Sequence, residues 1–413
     1  MHAPSDARSL EQAALYLALL AVPGIGTSRA LGQLATWGSV TSIAEADHPL
    51  GHALRSRLGT ARATIAAALD AGVSVVPLEH RSYPPALKEG EVKGPPLVLF
   101  VEGTLPPVLA AEAGVLRSCA LVGTRRATRF SLELAHDIAA ALAREGVLVV
   151  SGLALGVDGA AHEGALAGAA HATPAAPATV AVLGGGHRHL HPPQHHDLAR
   201  RIVEQGGAVV SEWPPDSKPA RHNFLRRNRV ISALAACVVV IEAGSRSGAL
   251  NTASHALEQG RAVLAVPGRP NDPRYAGTLR LLHEGAAMVL DASDVLAQFG
   301  VYTQEPTPRG SRAGGAQRVP WTSPLPDHGD GGHEAVVRRL LSRTDETSLD
   351  VIVSAVTTGE GGSGNVPTPG PRHAQADAAD TAAALTALLT VMELSGEIER
   401  TETGRYRLRT ARR

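Results

Sequence analysis

Aromatic side chains are scarce in this chain: phenylalanine, tyrosine and tryptophan together make up 3% of its 413 residues. Its core must therefore be built from alanine, valine and leucine. Any nucleic acid it held would find few rings on which to stack bases. Cysteine is scarcer still. Two in so long a chain give no disulfide framework and fit a reducing compartment. Net charge is missing as well, since 39 Lys and Arg balance 39 Asp and Glu. Binding to nucleic acid would have to come from a local patch, not a global field. The longest clean apolar run near the start, "AALYLALLAV", is far too short to span a bilayer. The opening "MHAPSDARSLEQ" lacks the basic-then-apolar order of a signal peptide. A soluble, cytoplasmic protein that does not engage membranes is the expectation. Two nucleotide motifs are also absent. Nothing matches Gly-x-x-x-x-Gly-Lys-Ser/Thr, which argues against ATP hydrolysis. "VGTRRATRF" does not supply the G-x-G-x-x-G order that a dinucleotide oxidoreductase needs after its first strand.

The length calls for two or three domains, and the texture of the chain divides it. Residues 1–73 read as short helices. Residues 74–300 alternate strand and helix. Residues 301–332 are rich in Pro, Gly and Arg without periodicity, the composition of a disordered linker. Residues 333–413 form a small C-terminal unit, interrupted by a flexible insertion near 357–378.

In the middle region, strand-like runs fall at 119–123, 147–152, 178–186, 208–213, 237–243, 262–268 and 287–292. Most are apolar throughout, as parallel strands buried on both faces must be. Helical stretches lie between them. In "SLELAHDIAAALAREG", for example, Leu132, Ala135, Ile138, Ala139 and Leu142 recur at helical spacing before Gly146. Strict alternation predicts a doubly wound, Rossmann-like α/β sheet, mostly parallel. Such sheets bind ligands at the carboxyl ends of their strands.

The unusual residues sit in those loops. Gly123, Thr124, Arg125 and Arg126 leave the first core strand. Ser151, Gly152, Gly156 and Asp158 follow the second. "LGGGHRHLHPPQHH" follows the third, and Ser247 and Gly248 open a later helix. Glycines admit close backbone approach, and helix N-termini attract anions. A phosphate-bearing ligand is the natural expectation. The segment "FLRRNRV" adds Arg226, Arg227 and Arg229, with Asn228 among them. If they stand at a helix start, each opposes the helix dipole by about 0.3–1 kcal/mol, which an external anion would offset. The alternative is internal pairing of Arg227 or Arg229 with Glu212 or Glu242, which close neighbouring strands.

The ordered series "VGTRRATRFS", "SGLALGVDGAAHEGAL", "TVAVLGGG", "VVSEWPP", "FLRRNRVISALAACVVVIEAGSRSGALNTASHALEQGRAVLAVPG" and "GTLRLLHEGA" resembles the DNA processing protein A family, DprA or Smf. The resemblance is continuous over about residues 74–291. It implies a Rossmann-like core that binds single-stranded DNA, forms homodimers and helps load the RecA recombinase during natural transformation, without catalysis or a cofactor. It also implies that the Gly123–Thr124–Arg125 loop and the Arg226–Arg229 segment line the DNA groove. Ser151, Gly152, Gly156 and Asp158 would then shape a phosphate-binding floor. This chain departs from the family pattern at Thr124 (usually Ser), Leu225 (usually Pro), His191 (usually Tyr) and Leu279 (usually Asn).

The flanks carry further signals. "VPGIGTSRA" at 22–30 looks like a helix-hairpin-helix turn, whose backbone N–H groups either meet phosphates or simply close two helices. The C-terminal stretches, with a hairpin around Thr403–Gly404, resemble a winged helix that contacts DNA or protein. There Glu397, Glu399 and Glu402 alternate with Arg405, Arg407 and Arg409, so charge pairs across the hairpin are expected. His187, His189, His191, His195 and His196 have no zinc-like partner set apart from nearby Asp197, and read as a titrating basic patch rather than a metal site. The competing class is a nucleotide-binding enzyme like the phosphoribohydrolases of the same fold group. Such a glycosidase needs a carboxylate at the helix start, where this chain has "SGALNTASHAL".

Overall fold

The computed structural model describes residues 6–88, 94–109, 116–172 and 179–301, and separate residues between Val337 and Leu408. The chain forms two compact units, Met1–Pro308 and Arg309–Arg413.

The first unit begins with five helices: α1 (Ala7–Leu20), α2 (Thr27–Trp37), α3 (Val40–Glu45), α4 (Pro49–Arg55) and α5 (Leu58–Asp70). Asp6 caps α1 by accepting from Ser9 N, and Ser39 caps α3 by accepting from Ser42 N. Small residues, Ala13, Ala14 and Ala18, let α1 approach closely. With Leu19 they join Val73, Val75, Leu97, Val98 and Phe100 in one apolar cluster. These helices therefore cover a face of the first two strands, β1 (Val73–Pro77) and β2 (Val98–Gly103).

Among the described residues nine strands form one sheet in the order β1-β2-β6-β5-β4-β3-β7-β8-β9. The remaining strands are β3 (Ser118–Val122), β4 (Leu148–Ser151), β5 (Thr179–Val182), β6 (Ala208–Ser211), β7 (Cys237–Val240), β8 (Ala262–Ala265) and β9 (Ala287–Met288). From β3 to β9 every pairing is parallel. β2 pairs antiparallel to β6 and to β1. Each of the seven strands read from the sequence is present: β3 is shifted one residue earlier at the same length, and the other six are shorter. β1 and β2 lie outside that reading.

Helices cover both faces, as the alternation predicted. α6 (Arg129–Arg144), α7 (Val157–Ala169), α8 (His196–Glu204) and α12 (Ala292–Leu296) pack on one side. α9 (Arg221–Ala233), α10 (Gly248–Glu258) and α11 (Ala276–His283) pack on the other. α6 and α7 touch backbone to backbone. A Cβ at Gly164 would lie 2.1 Å from His136 O, and one at Gly168 2.1 Å from Ala140 O. The chain runs outward from β3 to β6 on one side, then crosses to β7 and runs to β9 on the other. β3 and β7 are thus neighbours at the point where strand order reverses, and a crevice opens outside their carboxyl ends.

In the second unit, β10 (Ile398–Arg400) and β11 (Tyr406–Leu408) pair antiparallel with Glu399 opposite Arg407. The Glu399 and Arg407 side chains form an ion pair, as the alternation of charge predicts. Val337, Leu341, Ile352, Leu385, Leu389, Met392, Ile398 and Tyr406 form a separate small core. Residues 302–332, the insertion at 357–378 and most of the winged-helix segment lie outside the described residues. No helix among the described residues is long and apolar enough to cross a membrane.

Candidate nucleic-acid interface

The crevice at the β3–β7 switch point is built by loops that fit one another backbone to backbone. Thr124 N donates to Glu242 O at 2.8 Å, and Val157 N to Thr124 O at 3.3 Å. Gly156, at φ 82°, caps α7. A Cβ there would stand 2.3 Å from Thr124 O, so the position tolerates no side chain. The start of α6 is held by Glu242, a fully buried carboxylate that accepts from both Thr128 N and Thr128 Oγ1 at 2.9 Å. Glu242 is thereby occupied by a helix start, and no arginine pairs with it among the described residues.

The resulting cleft holds about 700 Å³. Of the residues singled out in the sequence, Gly123, Thr124, Arg125, Asp158, Arg227, Asn228, Ser247 and Gly248 line it. Ser151 lies beneath, its hydroxyl bound to Leu121 O at 2.6 Å. Gly152 also lies beneath: its carbonyl accepts from Arg227 Nη1 at 2.8 Å. Gly156 supports the first loop from behind. Arg126 is exposed but outside the lining.

The arginine segment differs from its sequence reading in two ways. First, α9 begins at Arg221, so Arg226–Arg229 occupy its second turn and do not stand at a helix start. The dipole argument falls on Arg221 instead, an exposed residue that lines the cleft. Pro219, just before the helix, is the signal that marks this start. Second, the helix turns its arginines in different directions. Arg227, 4% exposed, points under the cleft, where Nη1 also donates to Val182 O. Arg226 and Arg229 point away and both reach Glu212 Oε1, at 3.0 and 2.5 Å. Internal pairing is therefore real for Arg229, whose guanidinium is as buried as its partner carboxylate.

Beneath the cleft Arg227 faces Asp158. A Cβ on Gly152 would touch Arg227 Nη2 at 2.6 Å and Asp158 Oδ2 at 2.7 Å, so the missing side chain makes room for both charged groups. Burial pushes the Asp158 carboxyl above its ordinary range, with the Arg227 guanidinium pulling the other way. Burial likewise lowers Arg227 to about 10, against the stabilising Asp158 charge. The two offset each other. What remains is the rim: Arg125, Arg221 and Arg246 are exposed and form no ion pair among the described residues. Arg125 stacks over the Phe224 ring at 5.1 Å. The ring in turn lies against Gly184, where a Cβ would meet it at 2.6 Å. Arg221 and Arg246 are the cleft arginines that the sequence reading did not single out, although Arg246 sits inside a quoted loop.

Two histidines of the third loop are tied to backbone carbonyls. His187 Nε2 donates to Val209 O at 3.0 Å, and burial lowers its proton affinity. His195 Nδ1 donates to Leu153 O at 2.8 Å. Among the described residues no three His, Cys, Asp or Glu side chains are arranged to hold a metal ion.

The family model described as DNA recombination-mediator protein A matches residues 74–300, the sheet from the second residue of β1 onward together with its cleft. The chain belongs to this family. It is 45% identical over 205 residues to the putative DNA processing protein DprA of Mycobacterium tuberculosis, covering 50% of each chain. It is 39% identical over 239 residues to protein Smf of Escherichia coli, covering 57% of this chain and 60% of that one. The matched region thus spans half to three fifths of these relatives' length. Among solved structures, DNA processing protein A of Streptococcus pneumoniae superposes with a TM-score of 0.54 at 27% identity, over 69% of this chain and 97% of that one. The family match and the α/β sheet found here agree with the resemblance carried by the loop motifs.

Proposed function

We propose that this family member binds single-stranded DNA in the switch-point cleft and helps load RecA recombinase during natural transformation, as a cytoplasmic homodimer and without catalysis. One observation carries the DNA reading. Arg125, Arg221 and Arg246, which form no ion pair among the described residues, surround a cleft whose buried charges, Arg227 and Asp158, already offset each other. Such a rim has surplus positive charge only for an anion from outside. Phe224, beneath Arg125, is the one aromatic ring in the lining, so phosphate contacts outweigh base stacking and sequence preference is slight. The single carboxylate of the cleft, Asp158, is 6% exposed and faces an arginine, a poor arrangement for the hydrolase alternative.

The test is a salt-titrated comparison of single-stranded and duplex DNA, in chelator and without nucleotide. Single strands are expected to bind under those conditions, and failure at low salt rejects the reading. Arg125→Ala should weaken binding about equally for different base sequences. It should also flatten the log–log salt slope by roughly 0.7, the value of one phosphate contact to a single strand.

The dimer reading is supported by β9, the sheet's edge. Met288 and Leu290 are 54% and 58% exposed there, an apolar edge suited to a second copy. The RecA-loading part of the proposal is supported by the family's description as a recombination mediator. Faster RecA nucleation on single strands in the presence of the protein tests it. Residues 74–300 are proposed as the DNA-binding core. Since α1 and α5 cover Val75, Leu97 and Phe100, that fragment is expected to bind DNA but to melt below the full chain.

A further inference from the structure

Arg226 and Arg229, turned away from the main cleft, face the hairpin between α1 and α2. A second cleft of about 480 Å³ opens there, lined by Gly26, Ser28, Arg29, Arg226, Arg229 and His255. Two independent features mark it as a place for an anion. The first is the start of α2, an 11-residue helix. Gly26 caps it without a side chain, so its leading N–H groups receive no side-chain acceptor. The second is Arg229. Its side chain is 6% exposed, yet Nη1 has no hydrogen-bond partner among the described residues. A buried guanidinium nitrogen left unpaired is costly unless something anionic meets it.

The charge count agrees. Glu212 Oε1 serves Arg226 and Arg229 together, and Arg29 spends its Nη1 on Gly24 O at 2.7 Å. Three guanidiniums stand against one buried carboxylate. Glu212 Oε2 also has no hydrogen-bond partner among the described residues, and Arg226 reaches Thr27 Oγ1 as well. The second cleft adjoins the first across α9 and α10. Leu225 lines one and Arg226 the other, and so do Thr252 and His255.

We infer that this second cleft is a phosphate-binding subsite for the strand that occupies the first, so that single-stranded DNA continues over α9 to the α1–α2 hairpin. The inference rests on the single-strand reading above and extends it.

Ser28→Glu tests it. Ser28 is exposed in the first turn of α2, where a carboxylate suits the helix dipole, so the fold should melt unchanged. The same carboxylate would repel a phosphate. Binding is measured with oligothymidylates of increasing length over a salt series. The variant should match wild type on oligomers short enough to fill only the main cleft. On longer ones it should bind more weakly, with a slope flatter by about 0.7. Arg226→Gln, at a half-exposed position, is a second arm with the same expected outcome. Oligomers with and without a terminal phosphate show whether the subsite takes an internal phosphodiester or the strand's end, and a loss in either supports it. If both variants bind every length as wild type does with unchanged slope, while Arg125→Ala is impaired, the second cleft is no subsite and the main reading stands. If wild type binds no single strand, both fall together.

Discussion

Arg227→Ala separates a residue that shapes the cleft from one that touches its ligand. Arg227 is 4% exposed, bonded to the carbonyls of Gly152 and Val182, and opposed by Asp158 at 6% exposure. Truncation leaves Asp158 as a buried carboxylate without its counter-charge, together with two carbonyls short of a donor. Arg227 and Asp158 share no direct ion pair, so the cost comes from the two lost carbonyl bonds and the weaker compensation of a buried charge, about 3 kcal/mol. In a unit of this size that lowers the melting temperature on the order of 10 °C. Adding Asp158→Asn should recover part of the loss, because no buried charge then remains and the amide can still accept from Ala154 N. Urea melts of the wild type, the two single variants and the double variant give the coupling directly. Single-strand binding by the folded fraction of Arg227→Ala should keep the wild-type salt slope. If Arg227→Ala melts with wild type and its slope flattens by about 0.7, Arg227 is a free phosphate ligand and the buried-charge account is wrong.

Three further outcomes are expected. Gly164→Val should cost about 1–3 kcal/mol in urea melts, because its side chain would collide with His136 O where α6 and α7 meet. A wild-type melt would show that the two helices can separate freely. His162, fully buried against Thr179 Oγ1, has its pKa lowered by burial from 6.5 to about 3. The unfolded chain therefore holds one more proton than the folded chain between those values, and stability falls by roughly 1.4 kcal/mol per pH unit as pH drops through that window. His162→Asn should lessen the pH dependence by one proton, and an unchanged profile would mean that His162 is protonated in the fold. Met288→Glu should convert a dimer to monomer by sedimentation, and a variant that stays dimeric places the interface elsewhere.

Much of this protein is legible in its sequence because the relevant physics is local. A strand buried on both faces must be apolar without interruption, which is why "CVVVIEA" and "AVLAVPG" read as parallel strands. Close approach demands glycine, which is why Gly123, packed on Val157, Gly152, packed on Arg227 and Asp158, and Gly156, packed on the Thr124 backbone, stood out. The arginines were visible, but their directions were not. A helix turns about 100° per residue, so residues adjacent in sequence face apart. Which way each points depends on where the helix begins and which face packs inward. Tertiary structure decided both: α9 starts at Arg221, and Val230 and Ile231 face the sheet. That phase sends Arg227 under the cleft and Arg226 and Arg229 to Glu212, while Arg221 and Arg246 join Arg125 at the rim. The antiparallel strands β1 and β2 likewise depended on partners far along the chain, since β2 pairs with β6 across a hundred residues. Composition and spacing set what the elements are. The side of an element on which a charge emerges, and what it meets there, belongs to packing between segments remote in sequence.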